Sequence, residues 1–328
     1  MKILLTGATG TLGRAVLRHA LSSRQVTRLA AFARSESRLA LLVEEFGHHE
    51  AFKPFLGDIR DERRLLDACV DIDVVIHAAA LKRVDDGAYN PLEMHKTNVI
   101  GSINVANAAR AAGVRDVLLV SSDKAVSAIN TYGGSKFQAE NCLRELNAYT
   151  VPRGTRLSCV RYGNVLASTG SVLTVWDRQR RAGQPLTVTD DTMTRFWMTI
   201  DEAVTHIFTA LRVMRGGEII VPVMRSSTLK RLAEAFQVAT GYHGTLSVVG
   251  KRPGGEKRHE ILINEDEALR AIAQEGVIVI PPAVHSWTST PWTTDVSVDI
   301  PKPYESNAPE VCTYTVEDLA SRIESITT

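Results

Sequence analysis

Residues 121–136 read Ser-Ser-Asp-Lys-Ala-Val-Ser-Ala-Ile-Asn-Thr-Tyr-Gly-Gly-Ser-Lys and bring an acid, two amines and a phenol into one short stretch. Tyr132 and Lys136 stand four residues apart, so on a helix they share a face. A phenol is a poor base at its ordinary pKa of about 10, but a nearby ammonium favours the phenolate, which can then take a proton from a hydroxyl. Asp123 and Lys124 follow an apolar strand-like run at residues 117–120 and offer a second proton-transfer pair, with the Ser122 hydroxyl beside them. Such a pair also occurs as a plain ion pair capping a strand end, where it perturbs pKa values without doing chemistry.

The elements that must position these groups begin at the N-terminus. Residues 2–6 form a strand, Gly7, Gly10 and Gly13 punctuate the turn after it, and residues 14–21 continue as an amphipathic helix. Gly7 permits the tight turn, Gly10 lets backbone N–H groups approach a pyrophosphate, and Gly13 lets the helix pack on the strand. Thr9, Thr11 and Leu12 complete this dinucleotide loop. The second strand ends in Arg34-Ser35 where an acid would bind the ribose of NAD, so NADP is favoured and NAD remains possible. Asp58 and Ile59 end the third strand and suit an adenine. Ala78, Ala79 and Ala80 follow the fourth strand and are small enough for a dinucleotide to lie against them. Lys82 points to the same strand-end crevice, whereas His77 reads as structural. Residues 94–112 form a long helix carrying Asn98.

Strand and helix thus alternate over residues 1–165, the pattern of an α/β fold with a doubly wound parallel sheet, Rossmann-like and NADP-binding. Residues 162–165 close that sheet, and residues 192–225 return to it. Residues 166–191 and 226–328 form a smaller α+β substrate-binding portion, with a turn dense in charge at residues 251–260.

The balance of 38 basic and 37 acidic residues removes any bulk-charge argument for nucleic acid or an anionic membrane. Four cysteines without CxxC spacing indicate neither zinc nor a disulfide framework, and the adjacent His48 and His49 cannot share a helix face, so no metal is expected. With no apolar run of about 18 residues and no signal-like start, the expectation is a cytoplasmic protein without a membrane span.

Thr6-Gly7-x-x-Gly10-x-x-Gly13 together with Tyr132-x-x-x-Lys136 resembles the extended short-chain dehydrogenase/reductase superfamily, whose members act on nucleotide sugars. Residues 77–82, 90–91, 97–98, Ser122-Asp-Lys-Ala125, Arg161-Tyr-Gly-Asn164-Val, Met193-Thr-Arg195-Phe-Trp and Arg252-Pro-Gly-Gly-Glu256-Lys look like the inverting UDP-N-acetylglucosamine 4,6-dehydratases of polysaccharide biosynthesis. Ser122 stands where that family usually has threonine, and residues 167–171 lack an arginine often found there.

The resemblance implies a lyase that oxidises carbon 4 of a UDP-sugar, eliminates water across carbons 5 and 6, returns hydride to carbon 6 and inverts carbon 5. Tyr132 with Lys136 would deprotonate the 4-hydroxyl. A neutral Lys124, its pKa lowered by burial near other cations, would take the carbon 5 hydrogen, and a protonated Asp123 would serve the departing 6-hydroxyl, although which of the two is acid and which base stays open. Asn164, Val172, Arg195, Arg252 and Glu256, with Lys82, would hold the UDP-sugar. The resemblance further implies a homo-oligomer, a dimer or a hexamer. A 4-epimerase and a non-catalytic NADP-binding regulator are the competing readings.

Overall fold

In β1 (Lys2–Thr6) the residues Ile3, Leu4 and Leu5 are fully buried, as a central parallel strand covered on both faces requires. The chain, known from a computed structural model that describes residues 1–150, 154–251, 255–283, 292 and 303–327, continues into α1 (Thr11–Ser22). Val16, Leu17, Ala20 and Leu21 recur there at helical spacing and are buried. The alternation runs on through β2 (Arg28–Ala33), α2 (Glu36–Phe46), β3 (Phe52–Leu56), α3 (Glu62–Cys69) and β4 (Val74–His77). After α4 (Val84–Tyr89), α5 (Pro91–His95) passes through a π-helical turn at Lys96–Ile100 into α6 (Gly101–Ala111). The single helix expected over residues 94–112 therefore carries a bulge, and Thr97 and Asn98 sit in it. Then come β5 (Asp116–Ser122), α7 (Thr131–Glu145) and β6 (Arg156–Tyr162).

The second half supplies β7 (Asn164–Val165), α8 (Val172–Arg181), β8 (Leu186–Val188), β9 (Thr194–Met198), α9 (Ile200–Val213) and β10 (Ile219–Pro222). It continues with β11 (Arg225–Thr228), α10 (Leu229–Thr240), β12 (Leu246–Val248), β13 (Ile261–Ile263), α11 (Glu265–Ala268), β14 (Ile272–Gln274), β15 (Val277–Ile280), β16 (Tyr304–Glu305) and α12 (Val316–Thr327).

Among the described residues the main sheet has nine strands in the order β14-β15-β10-β6-β5-β4-β1-β2-β3. β1 to β6 and β10 run parallel, and β15 and β14 add an antiparallel edge. From β1 the chain steps outward to β2 and β3, then crosses back to β4. The strand ends of β1 and β4 consequently flank a topological switch point, the place where open α/β sheets bind ligands.

Two features differ from the sequence reading. Asn164–Val165 does not close the main sheet but pairs with β9 in a separate sheet ordered β11-β9-β7. The chain leaves the sheet at Gly163, where an added Cβ would lie 2.6 Å from the Phe196 Cβ. Conversely β15, a Val-Ile-Val-Ile run buried throughout, belongs to the main sheet although it lies far along the C-terminal portion. A second core gathers Trp176, Trp197, Leu232, Phe236, Leu319 and Ile323 beside the small sheets. Among the described residues no helix is long and apolar enough to cross a membrane.

Candidate active site

At the end of β5 the Ser122 side chain caps a 3-10 turn, Asp123–Ala125, by accepting from the Lys124 N–H at 3.3 Å while donating to Asp123 Oδ1 at 2.8 Å. This local capping fixes Asp123, which is fully buried. The first turn of α7 lies directly against the 3-10 turn. Gly133 makes that approach possible, because a Cβ there would stand 2.4 Å from the Lys124 carbonyl oxygen. Asn130 caps α7 by accepting from Gly133 N at 2.8 Å. Tyr132 and Lys136 are thereby held one turn apart beneath Ser122 to Lys124.

Lys136 is buried and donates to the Val120 carbonyl at 2.7 Å, and burial brings its ammonium down to about 8. Burial pushes the Tyr132 phenol up, and Lys124 is the strongest influence in the other direction. Lys124 is thus a second ammonium that favours the phenolate, beside the role the sequence reading gave to Lys136.

Lys124 Nζ lies 2.9 and 3.0 Å from the two Asp123 carboxylate oxygens, 2.6 Å from Asn164 Oδ1 and 3.4 Å from Glu260 Oε1. Burial would lower its proton affinity, but Asp123 and Glu260 outweigh burial and raise it above the ordinary lysine value. The expected neutral amine among cations is therefore not what the fold provides, since two carboxylates surround this ammonium. Burial pushes the Asp123 carboxyl up, with Glu260 adding to the rise against Lys124 and Ser122. Burial would also raise Glu260, but Lys124, Arg195 and Lys257 hold it below the usual carboxylate range.

The substrate-side residues meet here in part. Buried Arg195 on β9 points to Glu256 at 3.4 Å and Glu260 at 3.7 Å and donates to the Lys257 carbonyl at 3.0 Å. Asn164 reaches Lys124 from β7, whereas Val172 stands half-buried at the start of α8. Arg252 lies outside the described residues, and Lys82 is exposed beyond β4. Sequence reasoning missed Glu260 and Lys257 as site residues. Lys257 donates to the Asp123 carbonyl at 3.4 Å and to that of Val126, so a segment more than a hundred residues away grips the 3-10 turn.

The switch-point crevice fits a dinucleotide. Gly7 has φ +72°, and a Cβ on it would lie 2.7 Å from Ala79 N; one on Gly13 would lie 2.3 Å from the Gly7 oxygen. The N-terminus of α1 has no side-chain cap at Gly10, so the loop bearing Thr9, Thr11 and Leu12 presents backbone N–H groups to an anion. Ala78 and Ala80 are part-exposed beside Ala79. Asp58 is engaged by Arg60 at 2.7 Å and approached by Arg34 at 3.9 Å, while Ser35 caps α2. Ile59 is buried, and a Cβ on Gly101 would stand 2.8 Å from its side chain. Asn98 spends its side chain inside the protein, on Leu81 N and O at 2.8 Å each and Ser135 Oγ at 2.9 Å, so it braces the crevice wall. His77 is likewise internal, bonded to Thr6 and Ser102, and burial lowers it to about 3.

Residues 3–282 match the sequence family described as "Polysaccharide biosynthesis protein". The chain belongs to that family. It is 34% identical over 283 residues to the UDP-N-acetylglucosamine 4,6-dehydratase (inverting) of Campylobacter jejuni, covering 86% of this chain and 83% of that protein. It is 36% identical over 287 residues to the UDP-glucose 4-epimerase of Rickettsia typhi, with 85% and 82% covered. The X-ray structure of Pen from Bacillus thuringiensis superposes with a TM-score of 0.86 at 32% identity, covering 98% of this chain and 96% of that one. The dTDP-glucose 4,6-dehydratase DesIV of Streptomyces venezuelae, solved with NAD and TYD bound, shares the fold at 21% identity and a TM-score of 0.70, over 78% and 86% of the two chains. This member of the polysaccharide biosynthesis family is thus an enzyme of the short-chain dehydrogenase/reductase superfamily, in its nucleotide-sugar dehydratase and epimerase branch.

Proposed function

We propose that the chain is an NADP-dependent UDP-N-acetylglucosamine 4,6-dehydratase that inverts carbon 5. The observation that carries this reading is the second proton-transfer pair at the strand end, a buried Asp123 with a part-buried Lys124, which acts on Tyr132. A 4-epimerase needs one base for one hydroxyl, which Tyr132 supplies. Loss of water needs in addition a group to take the carbon 5 hydrogen and a group to protonate the leaving oxygen.

The glycine loop, with Arg34 and Ser35 for a 2′-phosphate and Asp58 for an adenine, would hold NADP, which would supply a hydride acceptor for carbon 4 and a hydride donor for carbon 6. Tyr132 takes the 4-hydroxyl proton, favoured as phenolate by Lys124. The ketone at carbon 4 acidifies the hydrogen on carbon 5. Asp123 and Lys124 then divide its removal and the protonation of the 6-hydroxyl, the C6–O bond breaks with release of water, and hydride addition at the resulting C5=C6 bond is matched by a proton delivered to carbon 5 from the opposite face. Asn164, Arg195 and Glu256, together with Val172, Lys82 and Arg252, hold the UDP-sugar, an arginine fork suiting the diphosphate. The cofactor ends in its starting state, hence a lyase.

Purified protein incubated with UDP-N-acetylglucosamine and NADP⁺ gives a new methyl doublet in proton NMR, and in D₂O deuterium enters carbon 5. The Rickettsia relative's name favours a second reading, 4-epimerisation. A galacto-configured product with no methyl signal establishes that reading and removes the first.

A further inference from the structure

Glu260 immediately precedes β13 and is 3% exposed, far in sequence from the stretch it touches. Its Oε1 stands 3.4 Å from Lys124 Nζ and 3.7 Å from Arg195 Nε, and its Oε2 stands 3.6 Å from Lys257 Nζ without a hydrogen-bond partner. A buried carboxylate is costly unless it is paired, and the packing has to hold it in place against that cost.

The surroundings of Lys124 give it a task. An ammonium has three N–H donors. This one donates to both oxygens of Asp123 on the 3-10 turn and to Asn164 on β7, and Glu260 before β13 stands 3.4 Å away as a second carboxylate in an ion pair. A neutral amine would turn its lone pair on one of these oxygens. The same C-terminal segment fixes the backbone below the amine as well, through Lys257 on the Asp123 and Val126 carbonyls and through the Gly255 carbonyl, which accepts from Asn130 at 3.1 Å. Asn130 caps the helix that bears Tyr132.

We propose that Glu260 is a positioning residue for the dehydration: as the second carboxylate paired with Lys124 it fixes the place of the amine and sets how tightly the amine holds its proton. This rests on the dehydratase reading for its role in turnover, but not for its charge chemistry. The charged and titratable groups that face the pair are Asp123 from the turn, Tyr132 from α7, Arg195 from β9, and Lys257 from the same segment, with Glu256 behind Arg195. Glu260 is the carboxylate that three cations keep ionised. Asp123 is consequently not the sole counter-charge of Lys124, and its own buried carboxyl is left with the higher proton affinity of the two.

The sign follows directly. Replacing an adjacent anion by a neutral amide lowers the pKa of an ammonium, by about one to three units for a partner at this distance. The test compares wild type, Glu260→Gln and Glu260→Asp as full-length proteins. Lys124 Nζ is followed by ¹⁵N NMR across pH, with Lys124→Arg identifying the signal, and the pH profile of kcat is measured with UDP-N-acetylglucosamine. Glu260→Gln is expected to titrate Lys124 at least about one unit lower, to move the limb of the kcat profile that Lys124 governs to lower pH by the same amount, and to reduce kcat more than it raises KM. Glu260→Asp restores most of both shifts. An unchanged Lys124 titration in a folded Glu260→Gln protein overturns the proposal. So does a uniform loss of activity at all pH values that Glu260→Asp shares. If the protein dehydrates no UDP-sugar, the NMR titration alone still decides the charge assignment, and only the dehydratase reading falls.

Discussion

Arg161→Met is expected to loosen the catalytic helix from the C-terminal portion, at a cost that can be worked from contacts. Arg161 on β6 is 2% exposed at its side chain and donates to Glu140 of α7 at 2.7 and 3.1 Å, to Glu267 of α11 at 2.9 Å twice, and to the Leu262 carbonyl at 2.9 Å. Methionine fills similar volume but leaves two buried carboxylates without their cation. Breaking a buried pair from one side costs about 3–5 kcal/mol. With an unfolding entropy of roughly 2.1 cal/mol/K per residue over 328 residues, that lowers the melting temperature by roughly 4–7 °C. Burial alone would raise the pKa of Glu267, but Arg161 holds it below the usual carboxylate range. A depressed carboxylate pKa contributes stability that is present above the unfolded value and lost as pH falls through the folded one. In Arg161→Met the Asn264 N–H and Arg144 still favour the Glu267 carboxylate, but the largest influence opposing burial is gone and the pKa rises, so the penalty is largest at about pH 7.5 and shrinks as pH approaches about 5. Melting followed by far-ultraviolet circular dichroism at both pH values reads this out. A deficit under about 1 kcal/mol at neutral pH, or one that does not change with pH, refutes the reasoning, because either result means that the carboxylates did not need the guanidinium.

Two further predictions concern the ligand sites. Tyr132→Phe removes one phenolic oxygen from a group that the fold positions through Gly133 and Asn130, so turnover falls by about 10²–10⁴-fold while NADP affinity stays within about twofold by equilibrium dialysis; retained activity would move the base elsewhere. Arg34→Ala removes a half-exposed guanidinium whose nearest anion is Asp58, at 3.9 Å. Loss of a charge-assisted hydrogen bond to a 2′-phosphate is worth about 1.5–3 kcal/mol, so NADP binding weakens by roughly 10–150-fold while NAD binding is unchanged in parallel fluorescence titrations; equal effects on the two dinucleotides would remove the basis for preferring NADP.

The parts of the molecule that were legible in its sequence are those where one local requirement admits few residue types. Gly7 and Gly13 lie so close to backbone atoms that a side chain has no room, and a strand-turn-helix pattern around them is visible within twenty residues. Tyr132 and Lys136 are readable because a four-residue spacing needs only one helix. The parallel sheet was legible as alternation, but its edge was not: Val277–Ile280 is a short apolar run whose partner, β10, is chosen by packing over a long separation. The π-turn at Lys96–Ile100 left the apolar spacing intact and so gave no signal, even though it places Asn98 against Leu81 and Ser135.

The state of Lys124 lay beyond reading for a deeper reason. Its neighbours in sequence, Asp123 and Ala125, fix where the amine is, but its proton affinity depends on Glu260 and Arg195, which reach it from β13 and β9. In a sequence, residues 251–260 are a run of mixed charge in a loop, for which a solvated surface is the ordinary explanation. Only folding makes Glu260 one of the least exposed acids among the described residues and turns Lys257 onto the carbonyls of Asp123 and Val126. Tyr132 depends on Lys124, and Lys124 on Glu260, so the chemistry that begins in residues 121–136 is tuned from the opposite end of the chain. A change that displaces the segment before β13 should therefore alter the pH behaviour of the site even when every residue from Ser121 to Lys136 is left as it is.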